Sequence, residues 1–427
     1  MKMNGRISFR KRLALPASVL MAVVANEAFG ADASTYYVAQ VPAYESQASA
    51  EASPEAAQSA STAAQYAQQI PEQTFAPCCP EYVQPCCADA FQINGYVNGG
   101  YFGNTLGADS NVINTNSDRG GALNAAFVSL SKGAVTNGCG VDWGGGVDFM
   151  FGEDSRLFRV ERGLDEDWAT GHNRNGVPTY GFAMPQAYGA LAINNWTFTA
   201  GHFFSPFGYE SGRADKRFFY SRGLAYDALP STLTGGLLTF SGIENLSATV
   251  GLVNGINQGF NDDAGGSLFA GNFVLTPSNQ LSFTYTVGAG DVVDDGTNKV
   301  YGCIHSWIVE VKPDDRWTFA TAAVYEDVNT VGAGGISEAI IGQHIYYKTS
   351  DCWKVGTRLE WGRLKPAGGD LTKDFEITLG ANWSPAGSQN LTIRPEFRYD
   401  SCNVEKYAKN GDKKAQICLG VDAVATF

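Results

Sequence analysis

The residues that could carry out chemistry in this sequence do not form a consistent catalytic or metal-binding pattern. The four histidines, His172, His202, His305 and His344, lack metal-ligand spacing. His305 and Ser306 are adjacent, so a strand would direct them to opposite faces. The segment GVDWGGGVDF has glycines but lacks the lysine of a phosphate-binding loop. We therefore predict no catalytic residue, no metal, no cofactor and no enzymatic activity.

Charged residues are sparse in this chain, and acids outnumber bases. Of its 427 residues 17% are charged, and the net charge at pH 7 is −13. This negative balance argues against nucleic acid as a partner. Acidic residues at 165–167 and 291–298 could offer oxygen ligands to Ca²⁺, but neither group has the spacing of a calcium-binding loop. We interpret both groups as parts of solvated loops.

The first thirty residues have the layout of an export signal. Five basic residues lie within 2–12, an apolar stretch follows over 13–25, and small residues occupy positions 28 and 30. The apolar stretch is too short for a membrane anchor. We predict a signal peptide over 1–30, with a cytosolic N-terminal helix as the alternative. Export implies an envelope or extracellular compartment in which disulfides persist.

A spacer rich in Ala, Gln, Ser and Glu follows over residues 31–90. It has too few large apolar residues to bury a core, so we predict a flexible or partly helical periplasmic linker, with an Ala-rich coiled coil as the alternative. Near its end stands CCPEYVQPCC. We predict local or interchain disulfides there, because the compartment is oxidising and the C-x2-C pairs of a zinc site, the alternative, are absent. The disulfide candidates are Cys78, Cys79, Cys86 and Cys87.

From residue 91 onward, apolar and polar side chains alternate with a period of two. In 353–361 one face is apolar and the other carries Lys, Arg and Glu, and 391–399 repeats this pattern. A soluble sandwich would also alternate. Three features favour a membrane barrel instead: aromatic residues flank the apolar faces, charges occupy mid-strand positions on the other face, and the chain ends on Phe427. A terminal Phe after an alternating strand is typical of the outer-membrane assembly signal.

The fold class that this pattern predicts is all-β. We expect a transmembrane antiparallel up-and-down β-barrel over 91–427, of about 16 strands, with 14 or 18 as alternatives. Seven short connections alternate with eight long ones, which is the arrangement of periplasmic turns and outer loops. We count 289–301, 327–337 and 362–373 among the long ones. A barrel of this size leaves an aqueous lumen.

The third long connection, 205–233, is the predicted constriction of that lumen. Its aromatic residues and leucines need burial, so we expect it to fold inward, with a packed surface loop as the alternative. The charges predicted to line the pore are Glu210, Arg213, Asp215, Lys216, Arg217, Arg222 and Asp227. The wall residues predicted to face them are Lys354, Arg358, Glu360, Arg394, Glu396 and Arg398. Cations outnumber anions in this set, which predicts weak anion preference or near-neutral selectivity.

Several stretches of the chain resemble a known family. YGFAMPQAYGALAINNWTFTAGHFFSPFGYES and FFYSRGLAYDALPSTLTGGLLTFSG are similar to the OmpL-like family of β-barrel porins (β-barrel porin-2), as are GYVNGGYFGN and DWGGGVDFMFGED. The resemblance covers about residues 91–427. It implies an outer-membrane channel for small hydrophilic solutes and no particular ligand residues. The spacer and its cysteines lie outside it.

The function that we predict is that of a porin, a passive diffusion channel for ions and small hydrophilic solutes in the outer membrane of a Gram-negative envelope. The alternative is a structural or adhesive outer-membrane barrel that acts through its loops or its periplasmic arm. The expected partners are outer-membrane lipid, the barrel assembly machinery and the solutes. A homo-oligomer is left open.

Overall fold

The alternating part of the chain forms one closed β-sheet. The computed structural model describes residues 91–106, 120–136, 138–160, 163–165, 168, 180–260, 266–294, 299–385, 388, 390–407 and 412–427. The predicted signal peptide, the spacer and the candidates Cys78, Cys79, Cys86 and Cys87 lie outside these residues. The described residues form sixteen strands, three very short helices and their connections.

The strands are β1 (Gln92–Asn104), β2 (Gly120–Lys132), β3 (Val141–Gly152), β4 (Gly181–Ile193), β5 (Trp196–Phe204), β6 (Thr232–Ile243), β7 (Leu246–Val253), β8 (Leu268–Ser278), β9 (Leu281–Asp294), β10 (Lys299–Val311), β11 (Trp317–Thr330), β12 (Gly334–Lys348), β13 (Trp353–Pro366), β14 (Thr372–Trp383), β15 (Leu391–Cys402) and β16 (Ala415–Thr426). Each strand pairs with its neighbours in sequence, and every pairing is antiparallel.

The first and last strands close the barrel. Tyr96 of β1 lies opposite Thr426 of β16, and the register continues to Asn104 opposite Cys418. Beyond β16, the backbone of Phe427 exchanges two hydrogen bonds of 3.0 Å with Gly95. Closure leaves neither edge of the sheet unpaired, which is the condition for a sheet to span a bilayer. The predicted antiparallel barrel of 16 strands is confirmed.

The two faces of the wall differ as a membrane barrel requires. On β13, Trp353 and Trp361 are 42% and 43% exposed, whereas Arg358 is fully buried on the inner face. Trp353 stacks on Trp383 of β14 with ring centroids 5.8 Å apart. Exposed aromatic and aliphatic residues follow the outer face of the other strands in the same way. The outer face is therefore an apolar band flanked by aromatics, and the inner face is polar.

The predicted alternation of long and short connections is wrong on one side of the barrel. Strands β9 to β14 continue through the segments that we expected to be long loops. The connections left between them are 295–298, 331–333 and 367–371. At the first of these connections the reason is packing, because Val292, Val293 and Val300 are buried in the largest apolar cluster of the described residues. We expected a loop over 289–301, but burial of these valines extends β9 and β10 instead.

The tight turns at the opposite end match the prediction more closely. β4 and β5 are joined by Asn194 and Asn195, and Asn194 has φ 53°. Asn245, between β6 and β7, has φ 60°. Asparagine tolerates this left-handed conformation, which two-residue hairpin turns require.

Helical structure in the described residues is limited to two 3₁₀ helices, Glu153–Leu157 and Ala214–Lys216, and one α-helical turn, α1 (Leu224–Asp227). Within the described ranges, none of the helices has the length and apolar character needed to cross a membrane.

Candidate functional site: the lumen and its inner loop

Residues 205–231, which join β5 to β6, cross the interior of the barrel; we call this segment the inner loop. Near its start, Gly208 N donates to Ser306 Oγ of β10 (3.2 Å). Further along, Ala214 N donates to Tyr96 Oη of β1 (3.3 Å). Strands β1 and β10 lie on nearly opposite sides of the sixteen-strand ring. The loop therefore spans the lumen, in the inward arrangement that its apolar content predicted.

Aromatic residues of the inner loop dock where the wall has glycine. Three consecutive rings occupy such positions: Phe218 lies at Gly356, Phe219 at Gly380 and Tyr220 at Gly420. A Cβ atom added to Gly356 would lie 2.6 Å from the Phe218 ring, closer than real Cβ contacts allow. These wall glycines therefore provide the space that the loop needs for close approach.

Arg358 is the most extensively bonded contact between wall and loop. Its guanidinium donates to Glu210 Oε1 (2.5 Å), to Ser221 O (3.1 Å) and to Ser221 Oγ (3.2 Å) of the inner loop. Its Nε donates to Glu376 Oε1 of β14 (2.9 Å). The Arg358 guanidinium also lies over the Phe219 ring, 5.0 Å from its centroid. Arginine suits this place because its planar fork can satisfy several acceptors at once.

Two further arginines of the wall hold backbone carbonyls of the inner loop. Arg394 Nη1 donates to Ala214 O (2.8 Å) and to Arg217 O (2.7 Å), and Arg394 also forms an ion pair with Asp422. Arg398 Nη1 donates to Arg222 O (2.5 Å). These bonds fix the loop main chain, so they do not depend on which side chains the loop carries.

Carboxylates of the wall accept hydrogen bonds from backbone N–H groups of the inner loop. Ser221 N donates to Glu396 Oε2 (3.0 Å), and Leu224 N, at the start of α1, donates to Glu360 Oε2. Within the loop, Gly223 N donates to Glu210 Oε2 (2.6 Å). The wall thus supplies both donors and acceptors to the turn at 221–224, which fixes its position in the lumen.

A second set of contacts to the inner loop comes from the 3₁₀ helix Glu153–Leu157. Asp154 forms an ion pair with Arg222 (2.8 Å) and lies 3.7 Å from Arg217. Burial alone would raise the pKa of Asp154, but the two guanidinium groups lower the pKa below its usual value. Asp154 is therefore ionised at neutral pH and anchors the loop to the segment that follows β3.

The predicted pore-lining charges divide into two groups. Glu210, Arg217, Arg222 and Asp227 are buried between loop and wall. Arg213, Asp215 and Lys216 remain partly exposed; Arg213 bonds Asp215 through two nitrogens (3.0 and 2.8 Å) and lies over the Phe127 ring. The partly exposed group lies on the 3₁₀ helix Ala214–Lys216 and the residue before it, so this short element carries the charges that solvent reaches.

The predicted wall residues divide in the same way. Arg358, Glu360, Arg394, Glu396 and Arg398 all contact the inner loop. Lys354 lies at the beginning of β13 and is half-buried.

Sequence reasoning missed the acids that balance these arginines. Glu376 and Asp422 bond Arg358 and Arg394, Asp400 bonds Arg398, and Asp154 bonds Arg222. The positive excess expected from the loop and wall is therefore offset. Three of these acids stand at inner-face positions of β14, β15 and β16, so the alternating pattern could have identified them. Asp154 lies outside the strands and gave no such signal.

Other candidate chemistry stays dispersed in the structure. Within the described ranges, no group of three or more His, Cys, Asp or Glu side chains could hold a metal. Of the two acidic segments, Asp291 pairs with Lys299 (2.9 Å). Cys303, Cys352, Cys402 and Cys418 are free thiols, whereas Cys139 is disulfide-bonded.

A family model described as "Putative beta-barrel porin-2, OmpL-like" matches residues 90–427. The chain belongs to this family. The match covers every strand of the barrel and the inner loop, and it confirms the resemblance that the sequence suggested. No curated protein sequence matches this member of the family.

Solved outer-membrane structures share the fold of this porin-2 family member at low sequence identity. In-vitro folded OmpT, an outer membrane protein of Vibrio cholerae, is 14% identical, with a TM-score of 0.55 over 81% of this chain and 100% of that one. An anion-selective porin from Comamonas acidovorans is 11% identical, with a TM-score of 0.55 over 79% and 100%. The DcaP channel of Acinetobacter baumannii is 12% identical, with a TM-score of 0.52 over 80% and 98%.

Proposed function

We propose that this chain is a passive diffusion channel of the bacterial outer membrane for ions and small hydrophilic solutes, with no chemical step. The observation that carries the proposal is the inner loop, which crosses a polar lumen and leaves Arg213, Asp215 and Lys216 in partial contact with solvent. A narrowed polar passage of this kind selects solutes by size and by lining charge. The family of the chain, which is a porin family, supports the same function.

The charges around that passage support near-neutral selectivity. Arg213 and Asp215 neutralise each other, and the buried arginines of loop and wall all pair with acids, Arg217 and Arg222 sharing Asp154. Lys216 lies beside this pair, on the same 3₁₀ helix as Asp215. We therefore propose near-neutral selectivity with at most a weak anion preference.

A second candidate function has an observation of its own. Most residues of the inner loop are buried, and the loop is bonded to the wall from Gly208 to Leu224. A lumen held shut by these bonds would suit a structural or adhesive barrel that acts through its loops or its N-terminal arm. Conductance separates the two candidates.

The test is single-channel recording of the mature chain in planar bilayers in KCl. We expect small, steady conductance steps and a reversal potential near zero under a salt gradient. A variant without residues 209–227 should give larger steps if the inner loop narrows the passage. Conductance that appears only in this deletion variant would favour the structural barrel, and the absence of steps from both folded proteins would refute the channel.

Further parts of the proposal concern processing and location. Residues 1–30 are removed on export, residues 31–90 form a spacer in the periplasm, and the barrel machinery inserts the chain into outer-membrane lipid by recognising the strand that ends on Phe427. Self-association is part of the proposal, since one of the structural neighbours, OmpT of Vibrio cholerae, was solved in a trimer form. N-terminal sequencing and outer-membrane fractionation test the processing and the location together.

A further inference from the structure

The wall of the barrel is charged on one side only. Strands β4 to β9 contain two charged residues in all, Asp291 and Asp294, both within the last four residues of β9. The remaining wall carries the buried arginines and acids that hold the inner loop. The loop is bonded to that charged side, which leaves inner-face residues of the uncharged side within reach of solutes in the lumen.

A continuous row of hydroxyl and amide side chains crosses this uncharged side. Its members are direct cross-strand partners on six neighbouring strands, β5 to β10. In order they are Thr197, Thr239, Thr249, Asn272, Thr286 and Ser306. Six strands at the usual spacing give the row a length of roughly 24 Å. We call it the hydroxyl row.

The row faces the lumen. The residues that follow its members along the strands, such as Phe198, Val250 and Phe273, are exposed large apolar side chains of the outer face. Since side chains alternate along a strand, the hydroxyl row lies on the inner face. Its first four members are half-buried and within reach of solvent.

The row leads to the inner loop. Thr286 Oγ1 donates to Pro206 O (3.0 Å), and Ser306 Oγ accepts from Gly208 N. Along the row, Thr239 Oγ1 lies 2.8 Å from Thr249 Oγ1, and Asn272 Nδ2 donates to Thr286 Oγ1 (2.8 Å). A solute that follows these groups is brought to the place where the loop narrows the lumen.

We propose that the hydroxyl row makes neutral polyhydroxylated solutes, the class of sugars and sugar alcohols, preferred cargo of this channel. The inference rests on the proposed channel function. Hydroxyl and amide groups both donate and accept hydrogen bonds, so they replace the water that a polyol loses on entering the lumen. They offer an ion no countercharge. A solute that has acceptors but no donors leaves the acceptor oxygens of the row unsatisfied, even when it is smaller.

The test measures swelling of proteoliposomes that contain the full mature chain, with KCl conductance recorded on the same preparation. The probes are sorbitol and the smaller zwitterion glycine betaine, which has no hydroxyl group. We expect sorbitol to enter faster than betaine. In the double variant Thr239→Val and Thr249→Val, which removes two mutually bonded hydroxyls, the sorbitol flux relative to KCl conductance should fall about fivefold, the effect of one net hydrogen bond.

The matched control is Thr357→Val, the same replacement on the outer face of β13, which should keep the wild-type ratio. If betaine enters faster than sorbitol and the double variant keeps the wild-type ratio in a conducting barrel, the hydroxyl row does not select solutes, while the channel function stands. Absence of KCl conductance from the folded wild-type protein refutes the channel function and this inference with it.

Discussion

Replacement of Arg358 by methionine should release the inner loop while leaving the barrel folded. Methionine keeps much of the length of the side chain and loses all the donors. The wall then loses its hydrogen bonds to Glu210 and to both oxygens of Ser221 of the loop, and two buried acids, Glu210 and Glu376, lose their shared cation. The sixteen-strand hydrogen-bond network is untouched, because Arg358 takes part in it only through its backbone.

The expected size of the effect follows from this loss. Removing one partner of a buried ion pair costs about 3–5 kcal/mol. If that cost falls on the docked state of the loop alone, the ratio of docked to released loop decreases by roughly a hundredfold to a few thousandfold. Released loops widen the lumen, so the mean conductance and the current noise of Arg358→Met should both rise.

Two measurements check this prediction. Single-channel recording gives the conductance, and trypsin digestion of proteoliposomes reports exposure of the basic residues between Arg213 and Arg222. Arg363→Met is the matched control, because Arg363 is an exposed residue of the same strand. Should a folded Arg358→Met barrel show wild-type conductance and wild-type trypsin resistance, the ion-pair cluster would not be what holds the loop.

Four further predictions concern other parts of the chain. Lys216→Glu should move the reversal potential toward cations, more strongly in dilute KCl because screening is weaker there; an unchanged potential would place Lys216 outside the passage. Because the pKa of Asp154 is lowered, its ion pair with Arg222 is present at neutral pH and is lost only as the pH falls through that lowered value, so conductance should rise only in acid below the usual pKa range of an aspartate. Asp154→Asn should show the raised conductance already at pH 7, and equal pH profiles for the two proteins would contradict this. Deletion of Phe427 should reduce the amount of heat-modifiable folded barrel seen on gels, since it removes the backbone pairing with Gly95; normal amounts would show that the residue is dispensable. Removal of 31–88 should leave pore formation intact, and loss of folding would mean that the spacer supports the barrel.

The wall of this protein was predictable from sequence because its signal is local. Alternation along each strand gives the inner and outer faces, and tight turns such as Asn194-Asn195 separate the hairpins. The lengths of β9 to β12 were not predictable in this way. At the connection between β9 and β10, the added residues are in strands because Val292, Val293 and Val300 pack against the inner loop, and that loop is distant in sequence.

The inner loop shows the same limit. Its inward fold followed from its apolar content, but its bonds did not. Glu210 and Arg358 are 148 positions apart, and which wall residue meets which loop residue depends on strand register and tilt. The glycines at 356, 380 and 420 were the missed signal, since glycine at an inner-face position marks a place where another part of the chain approaches closely.

The seam between β1 and β16 sets an order of events during folding. Tyr220 of the inner loop packs edge-on against Phe102 of β1, with ring centroids 5.6 Å apart, and lies over Gly420 of β16. The binding position of Tyr220 is therefore formed by the first and the last strand together. It does not exist until β16 has paired with β1. Contacts between such distant positions form slowly. A barrel that has not closed would consequently have an undocked loop and two unpaired strand edges at the same time. Docking of Tyr220 would then serve as a marker that assembly is complete.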